Sequence, residues 1–251
     1  MVRPPVAVYT LVALNAVVFL ASALVQGLDT RLLEQGAFWY PENPHFAPSQ
    51  ALTYMFLHAS FSHAFFNLFA LASFGSQLER VWGSARFVLF YLLCGVGAGL
   101  IQIGINHYEF GQLHRQLVDA GFPTAALGEI LATGQGAVPA DAELRAAIEE
   151  LYRIYAAPML GASGAVYGVL VAFGVMYPNA RLALLFLPVP VAAKVFIPIL
   201  LALDLLSGLT GFSILGAGVA HFAHLGGAAI GFVLMLLWRR RQAPPAVGTP
   251  A

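Results

Sequence analysis

Long apolar stretches, separated by shorter runs that carry nearly all the charge, set the pattern of this chain. Six of them lie at roughly 6–26, 51–77, 85–105, 159–177, 183–206 and 216–238, each near the ~20 mostly apolar residues that cross a bilayer as a helix. The pattern predicts an all-α membrane protein, a bundle of six transmembrane helices. The first stretch reads as a retained helix rather than a signal peptide, because only Arg3 precedes it and the apolar run continues past Ala21-Ser22-Ala23. Between helices three and four, residues 106–157 form a polar insertion on the outer face. It contains an amphipathic helix from Ala142 to Tyr155, with Leu144, Ile148, Leu151 and Tyr155 on one stripe and Asp141 as N-cap. Gly134-Gln135-Gly136 reads as a loop before it. Residues 242–251 read as a disordered tail, which leaves 1–241 as a single transmembrane domain.

Composition strengthens the membrane reading. The chain is 59% hydrophobic and 10% charged, where a soluble domain carries about 25% charged residues. Its partner on these grounds is the lipid bilayer. The formal net charge is zero, so there is no electrostatic case for nucleic acid. Cys94 is the only cysteine, which excludes an internal disulfide and reads as a small buried hydrophobe. Arg3, Arg80, Arg86, Arg181, Lys194 and Arg239-Arg240-Arg241 fall on one side of the predicted topology, and most acids on the other. The positive-inside rule then puts the N- and C-termini in the cytoplasm. Ser163, His63 and His224 come out at similar depth in the outer part of the bilayer, where polar groups usually face a bundle interior or a wet cavity.

Those three residues carry the candidate chemistry. Ser163 stands in Gly161-Ala162-Ser163-Gly164, flanked by small residues that let backbones approach closely. His63 and Asn67, four apart, share one helix face. His221 and His224 each offer a base on another apolar segment. A serine hydroxyl becomes a useful nucleophile only when a base within hydrogen-bond reach takes its proton. Rival chemistries find less support. There is no His-Glu-x-x-His, and an aspartyl mechanism needs two membrane carboxylates. Asp204 is the only acid well inside a span, near the outer end of helix five, where it reads as facing water or capping a loop. No paired broken helices point to a transporter.

Taken together, Gly161-Ala162-Ser163-Gly164-Ala165-Val166-Tyr167-Gly168, His58 with His63 and Asn67, Glu79-Arg80, and His221-Phe222-Ala223-His224 followed by Gly227 and Gly231 resemble the rhomboid family of intramembrane serine proteases. The resemblance covers all six predicted helices in order. It implies hydrolysis of transmembrane protein substrates by a serine–histidine dyad, with no cofactor and no metal. Ser163 matches the nucleophile and His224, not His221, the base, since Gly227 and Gly231 stand where the family places glycines after it. His63 and Asn67 match the oxyanion donors, completed by the Ser163 N–H. Tyr167 would pack its ring on the base and orient it without a third acid. His58 would hydrogen-bond a loop near the site, and Gly161, Gly164 and Gly227 would permit close backbone approach.

The resemblance places the protein in a bacterial inner membrane, with its site open to the non-cytoplasmic side. A catalytically silent rhomboid-like protein that binds membrane clients is the alternative, although such relatives typically lose the serine or the histidine. Where the family often has a tryptophan in its first outer loop, this chain has Ser49-Gln50, and Trp39-Tyr40 would anchor that loop at the interface instead. Helix five and the loop 207–218, with Gly208, Gly211, Gly216 and Gly218, are the candidate gates. Substrate identity and oligomeric state leave no mark in the sequence.

Overall fold

A computed structural model describes residues 4–184, 187–211 and 219–240. In chain order the helices are α1 (Val6–Leu24), α2 (Leu28–Gly36), α3 (Gln50–Thr53), α4 (Phe61–Ala70), α5 (Ser76–Trp82), α6 (Ser84–Asp119), α7 (Thr124–Thr133), α8 (Ala142–Ala156) and α9 (Ser163–Met176). A hairpin of β1 (Arg181–Leu184) and β2 (Leu187–Ala192) follows, then α10 (Ala193–Thr210) and α11 (His221–Arg240). The fold is therefore mostly helical, as the apolar pattern predicts. α1, α6, α10 and α11 are each long and apolar enough to cross a membrane, and a bent pair, Gln50–Phe56 with Phe61–Trp82, makes a fifth span if counted as one. α9 is apolar but has only 14 residues.

Several boundaries depart from the sequence reading. The second apolar stretch is broken by a 96° bend. Ser60 restarts the helix there, its Oγ accepting from the His63 N–H at 3.2 Å as an N-cap does. A π-helical turn, Leu71–Gly75, joins α4 to α5. The third helix runs on to Asp119 rather than ending near 105, because no proline or turn signal intervenes before Gly121, which has φ +83°. The predicted fifth helix starts ten residues later than expected, at Ala193 against 183. Pro188 and Pro190 explain this: without N–H groups they cannot extend a helix, and they sit in an extended hairpin strand instead. Gly208 belongs to α10, and Gly211 caps it with φ +70°; the rest of the predicted gate loop, including Gly216 and Gly218, lies outside the described residues. So do Arg3, Arg241 and the predicted tail 242–251.

Two compact units are distinguishable. In one of them (Ala13–Phe65 and Gly99–Ala162), Tyr40, Phe110, Leu117, Leu127, Ile130, Ala147, Ile148, Leu151 and Ile154 make a core. The predicted amphipathic helix is α8, and Asp141 Oδ1 caps it by accepting from the N–H groups of Glu143 at 3.0 Å and Leu144 at 2.9 Å. Trp39 and Tyr40 are buried rather than set at a lipid interface. Gln50 is fully buried. Its Oε1 accepts from Trp39 N–H at 3.3 Å and Ala47 N–H at 3.1 Å, while Nε2 donates to His45 O at 2.6 Å. Gln50, next to the Ser49 that stands where the tryptophan was expected, thus knots the loop through its amide. Gly161 N–H donates to Tyr54 O at 2.9 Å, and its φ of +123° is a conformation L side chains rarely adopt.

The other unit (Met1–Val12, Phe66–Ala98 and Ser163–Ala251) holds the start of α1 on a buried carboxylate. Glu79 accepts from Ala7 N–H at 2.8 Å and Val8 N–H at 2.7 Å, and also from Ser84 Oγ at 2.6 Å. Its charge complements the positive end of the helix dipole. In the same unit, α9 and α11 pack backbone to backbone. A Cβ on Gly227 would overlap the Gly164 carbonyl, and one on Gly231 would stand 2.7 Å from Gly168 Cα. Small residues at such contacts let membrane helices approach without intervening side chains.

Candidate active site

That close approach brings two helix beginnings together. Ser163 is the first residue of α9 and His224 lies in the first turn of α11, so both stand nearer their helix ends than the apolar stretches indicated. Ser163 Oγ lies 2.9 Å from His224 Nε2. Ser163 is half-buried and His224 buried. The Tyr167 ring stacks on the His224 imidazole at 4.2 Å between centroids and 13° between planes. Gly164 and Gly227 form the contact that sets the spacing.

The sequence reading missed the group on the far side of the imidazole. Asp204, on α10, is not at the water surface. Its side chain is fully buried, and Oδ1 lies 3.1 Å from His224 Nδ1 and 2.6 Å from His221 Nδ1. The Tyr167 hydroxyl donates to Oδ2. An ionised carboxylate only accepts hydrogen bonds, so with Asp204 ionised each of these histidines carries a hydrogen on Nδ1, and a neutral His224 turns its Nε2 lone pair to the serine. His221, expected to face the outer water, is buried against the same carboxylate. Asp204, His221 and His224 are also of the residue types that hold metals, with ligand atoms within 4.8 Å of one another, but their mutual contacts are those of hydrogen bonds.

The remaining predicted residues lie on or before α4. His58 and His63 meet edge-on, with ring centroids 5.1 Å apart. The expected loop hydrogen bond of His58 is absent: both its ring nitrogens are buried with no hydrogen-bond partner among the described residues. His63 is half-buried, and Asn67, one turn further along α4, is buried.

Several helices are long and apolar enough to cross a membrane, and the serine hydroxyl lies within hydrogen-bond distance of a histidine nitrogen. The chain belongs to the rhomboid family, whose domain matches residues 46–241. It is 27% identical to the mouse presenilin-associated rhomboid-like protein, mitochondrial, over 77% of this chain and 40% of that protein. It is 27% identical to the rhomboid protein 1, mitochondrial, of Saccharomyces cerevisiae over 70% of this chain and 38% of the relative. A segment covering 32% of the chain is 32% identical to 14% of the rhomboid protease GluP of Bacillus subtilis. The chain thus spans about two fifths of the length of the mitochondrial relatives it matches. These matches correct the expected location: the relatives aligned over most of this chain are named as mitochondrial proteins, which points to a mitochondrial rather than a bacterial membrane.

Proposed function

We propose that this chain is a serine protease that hydrolyses peptide bonds in or near transmembrane segments of membrane proteins. The observation that supports the reading is the 2.9 Å approach of Ser163 Oγ to His224 Nε2 within a rhomboid domain. Ser163 Oγ attacks the scissile carbonyl carbon as its proton passes to His224 Nε2. His224 then gives that proton to the leaving amine, and the C–N bond breaks to leave an acyl ester on Ser163. Water, deprotonated by the same nitrogen, hydrolyses the ester and restores the hydroxyl. The oxyanion needs fixed donors. The Ser163 N–H is one, at a helix start where backbone donors lack intrahelical partners. Asn67 and His63 are the side-chain donors in this reading.

The short α9 fits such chemistry. Its 14 residues span about 21 Å, against about 30 Å of hydrocarbon. A helix that short starts below the bilayer surface, where irregular backbone needs cover from protein or a wet cavity. Counting α9 and the bent pair as spans gives six, with both termini on the same side.

The test is cleavage of a transmembrane substrate by the purified full chain in proteoliposomes. Ser163→Ala and His224→Ala should each abolish cleavage while the protein stays folded. Asn67→Ala and His63→Ala should lower kcat by about two to three orders of magnitude with KM little changed. Cleavage by folded Ser163→Ala at the wild-type rate would sink the proposal. A folded wild type that binds such segments without cutting them would point to the client-binding alternative.

A further inference from the structure

We propose that Asp204 is a positioning residue for catalysis, making the site a serine–histidine–aspartate arrangement assembled from three helices. This rests on the protease reading above. The line of contacts runs from Ser163 Oγ to His224 Nε2 at 2.9 Å, and from His224 Nδ1 to Asp204 Oδ1 at 3.1 Å. Each element supplies one member: α9 the serine, α11 the imidazole, α10 the carboxylate.

Three features favour this role over a purely structural anchor. First, a buried carboxylate away from water is costly unless its lone pairs are filled, and Asp204 is filled by Tyr167, His221 and His224. Second, two of those three donors, Tyr167 and His224, already touch at the reacting end, the tyrosine ring lying flat on the imidazole. Asp204 therefore holds the base in two ways: its in-plane orientation through Nδ1 and, through the tyrosine hydroxyl, the ring stacked on one face. Third, the hydrogen held on Nδ1 leaves Nε2 as the only nitrogen able to accept the serine proton. During attack one proton moves from Ser163 Oγ to His224 Nε2, the Nδ1 hydrogen stays in place, and Asp204 keeps its charge beside the imidazolium that forms. His221 contributes the second Nδ1–H that keeps the carboxylate aimed.

Asp204→Asn in the full chain tests the assignment. The amide preserves size but removes the charge: its one oxygen accepts from Nδ1–H more weakly than a carboxylate does, and the imidazolium that forms is left with no negative charge beside it. We expect kcat to fall by about 10²- to 10⁴-fold, KM to stay within twofold and the thermal midpoint to stay near that of wild type. A folded variant with kcat within threefold of wild type would overturn the proposal. Should the variant not fold, histidine-selective ¹⁵N labelling of Ser163→Ala protein reads the tautomer directly. Hydrogen on His224 Nδ1 supports the role, and hydrogen on Nε2 overturns it. A wild type that does not cleave at all would fail the protease reading instead, while the ¹⁵N measurement would still decide the Asp204 contact.

Discussion

At the scale of single residues, the clearest lesson concerns ionisable groups inside apolar sequence. Ser163, His224 and Tyr167 were legible because they stand in a motif of fixed spacing. Asp204 was not, since 17 and 20 residues separate it from the histidines it contacts, and only helix packing closes that gap. The signal that could have found it was its chemistry: a lone acid in a membrane span is a functional candidate by default, and reading it as water-facing discarded that prior. His221 shared the error. It shares Asp204 with His224 and meets that imidazole edge-on, with ring centroids 6.3 Å apart, whereas the hydrogen bond to Ser163 is made by His224, so His221→Ala should lower kcat less than His224→Ala does, with both measured in one cleavage assay; equal losses would contradict this ordering. Glu79 offers a test of stability apart from catalysis. Glu79→Gln keeps the shape but replaces one acceptor by a donor facing the buried N–H groups at the start of α1. A hydrogen bond to a charged group is worth about 1.5–3 kcal/mol, so thermal unfolding followed by tryptophan fluorescence should show a loss of that order.

At the scale of elements, hydropathy located the apolar stretches but not where helices begin. Starts were set by local chemistry: Ser60 capping α4, two prolines delaying α10, Asp141 capping α8. Asp141 and the apolar stripe of α8 were read correctly because both signals are local; α7, lacking a side-chain cap, was missed. Asp141→Ala should cost about 1 kcal/mol, seen as earlier unfolding of the helical insertion in hydrogen exchange. Two glycines make a sharper contrast. Gly227→Ala must push the α9 and α11 backbones apart, and we expect both stability and cleavage to fall. Gly104→Ala, inside α6 with nothing within 4 Å of the added methyl, should instead stabilise by about 0.5–1 kcal/mol. A Gly227→Ala protein with wild-type turnover would show that the helix contact does not set the Ser163–His224 spacing.

At the scale of the whole molecule, family and helical class were readable from the chain, because they depend on hydropathy and on a few motifs. The membrane in which it resides was misjudged, since nothing in hydropathy distinguishes one bilayer of similar thickness from another, and the correction came from relatives. Where α9 meets α11 there is backbone against backbone, whereas α10 meets these helices through side chains, Ile197 over Gly174 and Phe222 over Gly208. Side chains can rotate and yield; abutting carbonyls and Cα atoms cannot. Ser163 and His224 are thus mounted on a single stiff strut, and α10, which carries Asp204, joins it through the softer contact.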